Sequence, residues 1–343
     1  MRGLVIDGKG NIALKDDIPV PELSDYTAIV KTAACGICNG TDLKLREGHL
    51  NGFDTYPAVL GHESVGRVLR TGKKVISYKE GDLVLRSGLD DTYPLYHSLW
   101  GSFGEYGRVT DYQAMIRDGV TEADISNISQ QVIPADIDPV DGVMVITLKE
   151  VCAAVKRLGV GPGDKVAVSG CGPVGLALVK FCKLAGASFV ALSGHHDDRL
   201  ATAKKLGADL AVNSKKENFA EVLKKKLPQK LDFYIDAVGR CGIISEALTL
   251  IKDDGIIGVY GIGLEEDRGI AWRNGPYNFK IHSVQWPVPE IEASIHDEVV
   301  RYIQDGNIDL KDFVTHRLPI EEYEKGFELI KSRKCLKVSL YYQ

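Results

Sequence analysis

The chain has 343 residues, 44% of them apolar and 26% charged, and a formal net charge of −5. This length exceeds what one hydrophobic core usually supports, so we expect two domains. The acidic balance offers no basic footprint for nucleic acid, and no apolar run reaches the roughly 20 residues that span a bilayer, so we expect neither partner. Seven scattered cysteines in an acidic chain favour reduced thiols in the cytoplasm over a disulfide framework.

The first 145 residues carry short strand-like segments. Runs of small and β-branched residues, such as "TAIVKTAAC", "SVGRVL" and "DLVLRS", are separated by breaks rich in glycine, lysine and glutamate. No long helical period precedes residue 120. This part of the chain is therefore predicted to be mainly β.

The pattern changes near residue 146. Apolar strands such as "DKVAVSG" and "FVALSG" alternate with helical stretches of the length of "GPVGLALVKFCKLAGA". Such alternation predicts an α/β domain with a doubly wound parallel sheet over 146–283. The chain then returns to mixed character, so we expect 1–145 and 284–343 to form one domain around it.

A glycine-rich turn follows the first strand of this α/β domain. In "KVAVSGCGPVG", Gly170, Gly172 and Gly175 have G-x-G-x-x-G spacing, with Pro173 and Val174 opening a helix. The first glycine permits the turn, the second admits a pyrophosphate, and the third lets helix and strand pack closely. The helix N-terminus then attracts phosphate, so these five residues are predicted to bind a dinucleotide.

The end of the second strand bears on which dinucleotide binds. An acidic residue about 20 positions past the glycines would hold the ribose 2′-OH of NAD. In "ALSGHHDDRL" that position falls near Ser193 or Gly194, where no carboxylate stands. The predicted cofactor-binding residues here are Gly194, His195, His196 and Arg199. Their basic character tolerates a 2′-phosphate and favours NADP over NAD, although Asp197 would favour NAD if a one-turn shift brought it to the ribose.

Two cysteines in "CGICNGTDLK" raise the question of a metal. A structural zinc knuckle needs four ligands, but the next cysteine after Cys35 and Cys38 is Cys152. A redox C-x-x-C pair belongs at the start of a helix, whereas this pair follows a strand. His62 and Glu63 lie in "LGHESVGRV", 24 residues after Cys38. One thiolate and one imidazole from separate loops are typical of an open catalytic zinc site.

These segments, together with "GDLVL", "GSFGEYGRV", "GCGPVGL" and "HRLPIEEYEKGFELIKSRKCLKVSL", resemble the medium-chain dehydrogenase/reductase superfamily of zinc alcohol, polyol and threonine dehydrogenases from end to end. The resemblance implies a GroES-like β-barrel catalytic domain, completed by the C-terminal return, and a Rossmann domain for the nicotinamide cofactor. It also implies a homodimer or homotetramer, in which the strand "GIIGVYGIG" pairs across subunits.

The same resemblance assigns roles by position. Cys38 and His62 would be zinc ligands, and Glu63 the nearby acid that approaches or binds the metal. Thr41 would hydrogen-bond the substrate oxygen and start the proton relay, while Asp42 would fix the ligating histidine. Cys35 would be a buried apolar residue.

This sequence departs from the family pattern in three places. Two residues separate Cys38 from the Thr-Asp pair where one is usual, so the loop must bulge. The usual third ligand falls at Ile146, which cannot bind metal; Glu150, one helical turn later, is the predicted substitute, ahead of Cys152. The segment 85–105 contains no cysteine, so we expect one catalytic zinc and no structural zinc.

The sequence thus predicts a zinc-dependent dehydrogenase that exchanges hydride between NAD(P) and a secondary alcohol or polyol-like substrate, or the corresponding carbonyl. The sequence leaves two alternative functions open. One is a zinc-free NADPH-dependent reductase of the same superfamily, and the other a non-enzymatic protein that binds nicotinamide nucleotides. Five aromatic or imidazole side chains could line a substrate pocket or the core: Tyr56, His97, Trp100, Phe103 and Trp286.

Overall fold

A computed structural model describes residues 1–92, 94–263 and 269–343. The chain divides into two compact units, the first made of Met1–Lys149 with Pro289–Gln343 and the second of Glu150–Val288. The two chain ends therefore belong to one unit. The predicted boundaries, after residues 145 and 283, lie a few residues earlier in the chain.

The first unit contains most of the strands. Its strands are β1 (Gly3–Ile6), β2 (Ile12–Lys15), β3 (Thr27–Ile37), β4 (Ala58–Val59), β5 (Glu63–Thr71), β6 (Leu83–Leu85), β7 (His97–Ser98), β8 (Tyr106–Thr110), β9 (Val132–Ile133), β16 (Val314–Pro319) and β17 (Lys337–Tyr341). Its helices are α1 (Thr41–Arg46), α2 (Tyr112–Arg117), α3 (Pro139–Gly142), α9 (Pro289–Ser294), α10 (His296–Gln304) and α11 (Tyr323–Lys331), and α4 (Met144–Leu158) continues into the second unit.

The second unit alternates strands and helices. Its strands are β10 (Lys165–Ser169), β11 (Phe189–Gly194), β12 (Leu210–Asn213), β13 (Leu231–Asp236), β14 (Ile251–Val259) and β15 (Phe279–Ser283). Its helices are α5 (Pro173–Leu184), α6 (Asp197–Lys205), α7 (Phe219–Lys226) and α8 (Cys241–Leu250).

Strand β3 organises the larger sheet of the first unit. It pairs antiparallel with β5 on one side and with β8 and then β17 on the other. The sheet has seven strands: six in the order β16-β17-β3-β5-β6-β9, and β8, which pairs with β3. Nine of its eleven residues are buried, as expected for a small and β-branched run at the centre of a core. A second sheet has the order β2-β1-β4-β7. The predicted β-rich character of this part is confirmed.

The second unit is built on a parallel sheet of order β12-β11-β10-β13-β14-β15. The order reverses between β10 and β13, which is where doubly wound folds bind ligands beyond the carboxyl ends of their strands. The α/β fold class is therefore confirmed. One prediction is wrong: the segment "GIIGVYGIG" includes most of β14, and β14 is flanked by β13 and β15, so it has no edge to offer another subunit.

In the ranges that the structure describes, no helix combines the length and apolar character needed to cross a membrane.

Candidate functional site

Three potential metal ligands of the first unit lie together. Cys38 stands in the turn after β3, and His62 and Glu63 lie where β5 begins. Because Gly36 of β3 pairs with Glu63 of β5, the ends of the two strands bring these side chains to one place. One ligand atom from each of the three lies within 4.8 Å of the others. A thiolate, an imidazole and a carboxylate form a donor set that zinc accepts, so these residues fit the metal that the sequence predicts.

Asp42 orients two of these ligands. Its side chain is fully buried, its Oδ2 accepts a 2.8 Å hydrogen bond from the Cys38 N–H, and its Oδ1 lies 3.4 Å from His62 Nδ1. Both Oδ1 and Nδ1 lack an aligned hydrogen-bond partner among the described residues. With Nδ1 facing the carboxylate, Nε2 is the ring nitrogen left for a metal. Burial opposes protonation of His62, but Asp42 and Cys38 outweigh it and raise the pKa of His62 well above its ordinary value.

We expect Asp42→Asn to weaken zinc binding by roughly 10- to 100-fold, because the neutral amide loses the charge that orients the imidazole. Competition between the protein and a chromophoric chelator measures this affinity. Asp16→Asn, at an exposed position of the same unit, is the control and should bind zinc as the wild type does. Equal affinity in the Asp42 variant would contradict the role.

Glu63 is held by two groups that the sequence did not single out. Lys337 Nζ lies 2.8 and 2.6 Å from its two carboxylate oxygens, and Thr147 donates a 3.0 Å hydrogen bond to Oε1. Burial opposes ionisation of Glu63, yet Lys337, His62 and the hydrogen bond from Thr147 together outweigh it and lower the pKa of Glu63. In the sequence, only their polar character within apolar segments marks these two residues: Lys337 stands in "CLKVSLYY" and Thr147 in "MVITLKEV".

The turn that precedes α1 absorbs the extra residue of "CNGTD". Asn39 anchors it by donating a 2.9 Å hydrogen bond to the Leu336 carbonyl, and α1 then begins at Thr41. The Thr41 N–H lies 3.5 Å from Cys38 Sγ and donates to it. Thr41 and Cys38 thus stay neighbours despite the longer loop. Cys35 is 1% exposed in the apolar core, and burial raises the pKa of its thiol well above the ordinary value, as suits a neutral bystander.

The predicted ligand Glu150 lies in α4, is half-buried, and is the first residue of the second unit. Its role stays a prediction, because the group found among the described residues contains Cys38, His62 and Glu63. Ile146 is fully buried in the same helix and Cys152 is also buried.

An aromatic side chain borders the metal-ligand residues. The Trp100 ring lies 5.1 Å from that of His62 and 5.1 Å from that of Phe53. Trp100 has a φ of +62°, a left-handed conformation that costs a bulky residue energy and occurs often at functional positions. By contrast, Phe103 is fully buried and belongs to the core.

The glycine-rich turn of the second unit joins β10 to α5. Gly170 has a φ of +111°, which glycine adopts readily. A Cβ at Gly175 would overlap the Gly170 carbonyl oxygen, so the third glycine is needed for packing within the turn. A Cβ at Gly172 would meet no atom within 4 Å. Pro173 begins the helix, and Val174 is half-buried.

The loop after β11 carries the other predicted cofactor residues. Gly194 ends the strand, where a Cβ would overlap Cys171. His195 is exposed and His196 half-buried, while Arg199 is 8% exposed within α6. The residue that would favour NAD, Asp197, is already engaged: Asn213 Nδ2 and Lys216 Nζ each lie 2.7 Å from one of its carboxylate oxygens. Lys216 and then Asn213 lower the pKa of Asp197.

Comparison with known families identifies both units. Residues 24–121 match the alcohol dehydrogenase GroES-like domain, and residues 173–282 match the zinc-binding dehydrogenase domain. Together these matches span more than half of the chain.

Individual relatives align over nearly the whole length. An L-threonine 3-dehydrogenase from Bacillus velezensis is 28% identical, over 99% of this chain and 98% of the relative. A sorbitol dehydrogenase from Bombyx mori is 26% identical over the same shares. The solved structure of an alcohol dehydrogenase from Thermus sp. ATN1 is 25% identical, with a TM-score of 0.78 and complete coverage of both chains.

Proposed function

Since the chain belongs to the medium-chain dehydrogenase/reductase superfamily, we propose that it is a zinc-dependent dehydrogenase that transfers hydride between NAD(P) and a secondary alcohol or polyol-like substrate. The relatives are named for threonine, sorbitol and other alcohols, which supports an oxidoreductase acting on a small hydroxyl or carbonyl compound.

One observation carries the zinc dependence: the grouping of Cys38, His62 and Glu63 within 4.8 Å, with Asp42 set against two of them. A zinc-free reductase gives no reason for a buried carboxylate to hold the Cys38 backbone and face the His62 imidazole. A protein that only binds nucleotides gives no reason for these residues at all.

The roles of the chain's own residues follow from their positions. Cys38 and His62 would hold the metal, Glu63 would complete or adjoin its ligands, and Asp42 fixes the imidazole. Thr41 lies next to Cys38 Sγ, and we assign to its hydroxyl the uptake of the substrate proton. When bound, zinc would supply a Lewis acid for the substrate oxygen, and the nicotinamide would supply the hydride acceptor.

The preferred cofactor in this proposal is NADP. Gly194 leaves the strand end without a carboxylate, and Asp197, the nearest acid of α6, is paired with Lys216. An ammonium at this place favours a 2′-phosphate over a 2′-hydroxyl.

Lys216→Ala is therefore expected to lower kcat/KM for NADP about tenfold, the scale of one charged hydrogen bond, while kcat/KM for NAD holds or rises because Asp197 loses its lysine partner. Steady-state kinetics with each cofactor measure both values. Lys215→Ala, at the neighbouring exposed lysine, is the matched control. An equal loss with both cofactors would show that Lys216 only stabilises the fold.

We also infer a homodimer or homotetramer. The parallel sheet has β12 at one edge and β15 at the other. Apolar surface is exposed at the second edge, on Ile281 within β15 and on Tyr277 just before it. A second copy pairing along β15 would cover both. The mass in solution, with Ile281→Lys as the variant expected to dissociate, tests this inference; an unchanged mass in that variant would contradict it.

The central experiment combines metal analysis with a substrate panel. We expect about one zinc per chain, and reduction of NADP or NAD by at least one member of a series of polyols, sugar alcohols and hydroxy amino acids. Activity in a zinc-free preparation would favour the reductase alternative. Bound zinc without cofactor reduction by any member of the series would favour the binding protein.

A further inference from the structure

Lys337 is a buried cation set directly against one of the candidate ligands. Its side chain is 3% exposed, and its ammonium contacts both oxygens of Glu63, which is 2% exposed. Burying a lysine this deeply is costly unless an anion compensates it. The distances of 2.8 and 2.6 Å from Lys337 Nζ to the two carboxylate oxygens are those of a close ion pair.

The surroundings of this ion pair are rich in acidic groups. Cys38 lies in the same group as Glu63, and the buried Asp42 carboxylate accepts a hydrogen bond from the Cys38 N–H. Gly36 provides the room, because a Cβ there would meet Glu63 Oε2 at 2.7 Å. Lys337 thus lies where its positive charge offsets the negative charge of the neighbouring acidic side chains.

A metal cation and the Lys337 ammonium would compete for the lone pairs of the Glu63 carboxylate. Each carboxylate oxygen of Glu63 already accepts a hydrogen bond from Lys337, and Oε1 accepts a second from Thr147. A cation in contact with a ligand also repels a nearby divalent ion, since charges interact strongly where water is excluded.

We propose that Lys337 is a positioning residue that competes with zinc for the Glu63 carboxylate, and so limits the affinity of the site for the metal while keeping the metal-free protein folded. This inference rests on the zinc site of the proposed function. The opposing interpretation is an ordinary structural ion pair, whose loss would destabilise zinc-loaded and zinc-free protein equally.

The test measures zinc affinity by chelator competition and urea unfolding with zinc or with EDTA, in the full-length protein. Lys337→Met should bind zinc more tightly by about tenfold or more, the scale on which groups around the ligands alter metal affinity. Its unfolding midpoint should fall in EDTA and recover with zinc. Lys337→Arg keeps the charge and should match the wild type. Lys337→Gln keeps a hydrogen-bond donor toward Glu63 without the charge, so it should disturb folding less than Lys337→Met does. It should also bind zinc more tightly than the wild type.

A double-mutant comparison assigns the effect to Glu63. In a Glu63→Gln background, Lys337→Gln should change zinc affinity by less than about twofold, because the contested carboxylate is gone. Unchanged or weaker zinc binding in Lys337→Gln would overturn the proposal. A wild type that binds no zinc would instead overturn the proposed function, so the two failures are distinct.

Discussion

Cys38→Ala is expected to lower alcohol-dependent cofactor reduction by about a thousandfold, together with loss of bound zinc. The metal contributes several kcal/mol of transition-state stabilisation in such enzymes, and each factor of ten in rate corresponds to about 1.4 kcal/mol. Cys38 is the one thiol of the ligand group, so its removal leaves only an imidazole and a carboxylate. Metal content and kcat measured on the same preparation check both expectations.

Cys35→Ala is the matched control for this experiment. Cys35 lies in the same C-x-x-C pair but belongs to the apolar core, where its thiol is buried. Its loss should cost some stability through a small cavity and leave zinc content and activity near wild type. If Cys35→Ala lost zinc while Cys38→Ala retained it, the assignment of the ligand would be reversed.

Gly172→Ala is expected to weaken cofactor binding at least about tenfold without lowering the melting temperature. Gly172 has φ −79° and ψ −179°, which alanine adopts without strain, and its Cβ would meet no atom within 4 Å of the protein itself. That open space is where a pyrophosphate must approach the backbone, so the added methyl obstructs only the cofactor. Fluorescence titration with NADPH and thermal unfolding separate the two effects.

Gly175→Ala provides the contrast. Its Cβ would overlap the Gly170 carbonyl oxygen, so the turn must move. We expect a loss of about 1 to 3 kcal/mol in the free energy of unfolding, as for other overpacked sites, in addition to weaker cofactor binding. Equal thermal stability in the Gly172 and Gly175 variants would contradict the distinct roles of the two glycines.

The second unit could largely be predicted from periodicity. Strands β10 and β11 are continuous apolar runs bounded by glycines, and α5 and α6 carry helical patterns between them. Strand β15 escapes the prediction because "FKIHS" lacks the continuous apolar run that marks the buried parallel strands of this domain. The expectation that "GIIGVYGIG" pairs across subunits rests on the family resemblance alone, and β15 occupies the side of β14 that such pairing would need.

The candidate site could be predicted in part. The sequence singles out Cys38, His62 and Asp42, because their spacing and chemistry repeat a family pattern. It does not single out Lys337 and Thr147, because their contacts with Glu63 span 274 and 84 residues of sequence. A side-chain contact between residues far apart in sequence leaves no periodic pattern around either residue. Lys337 reaches the metal ligands because its strand, β17, pairs with β3.

The placement of β17 also bears on how the protein is made. Its pairing with β3 joins in one sheet a segment that precedes the α/β unit in sequence and a segment that follows it. A nascent polypeptide leaving the ribosome can therefore complete the inserted unit while the first still lacks a central strand and the counter-ion of Glu63. Translation that stopped shortly before residue 337 would release a chain able to form the nucleotide fold, yet with an unfinished zinc-binding half.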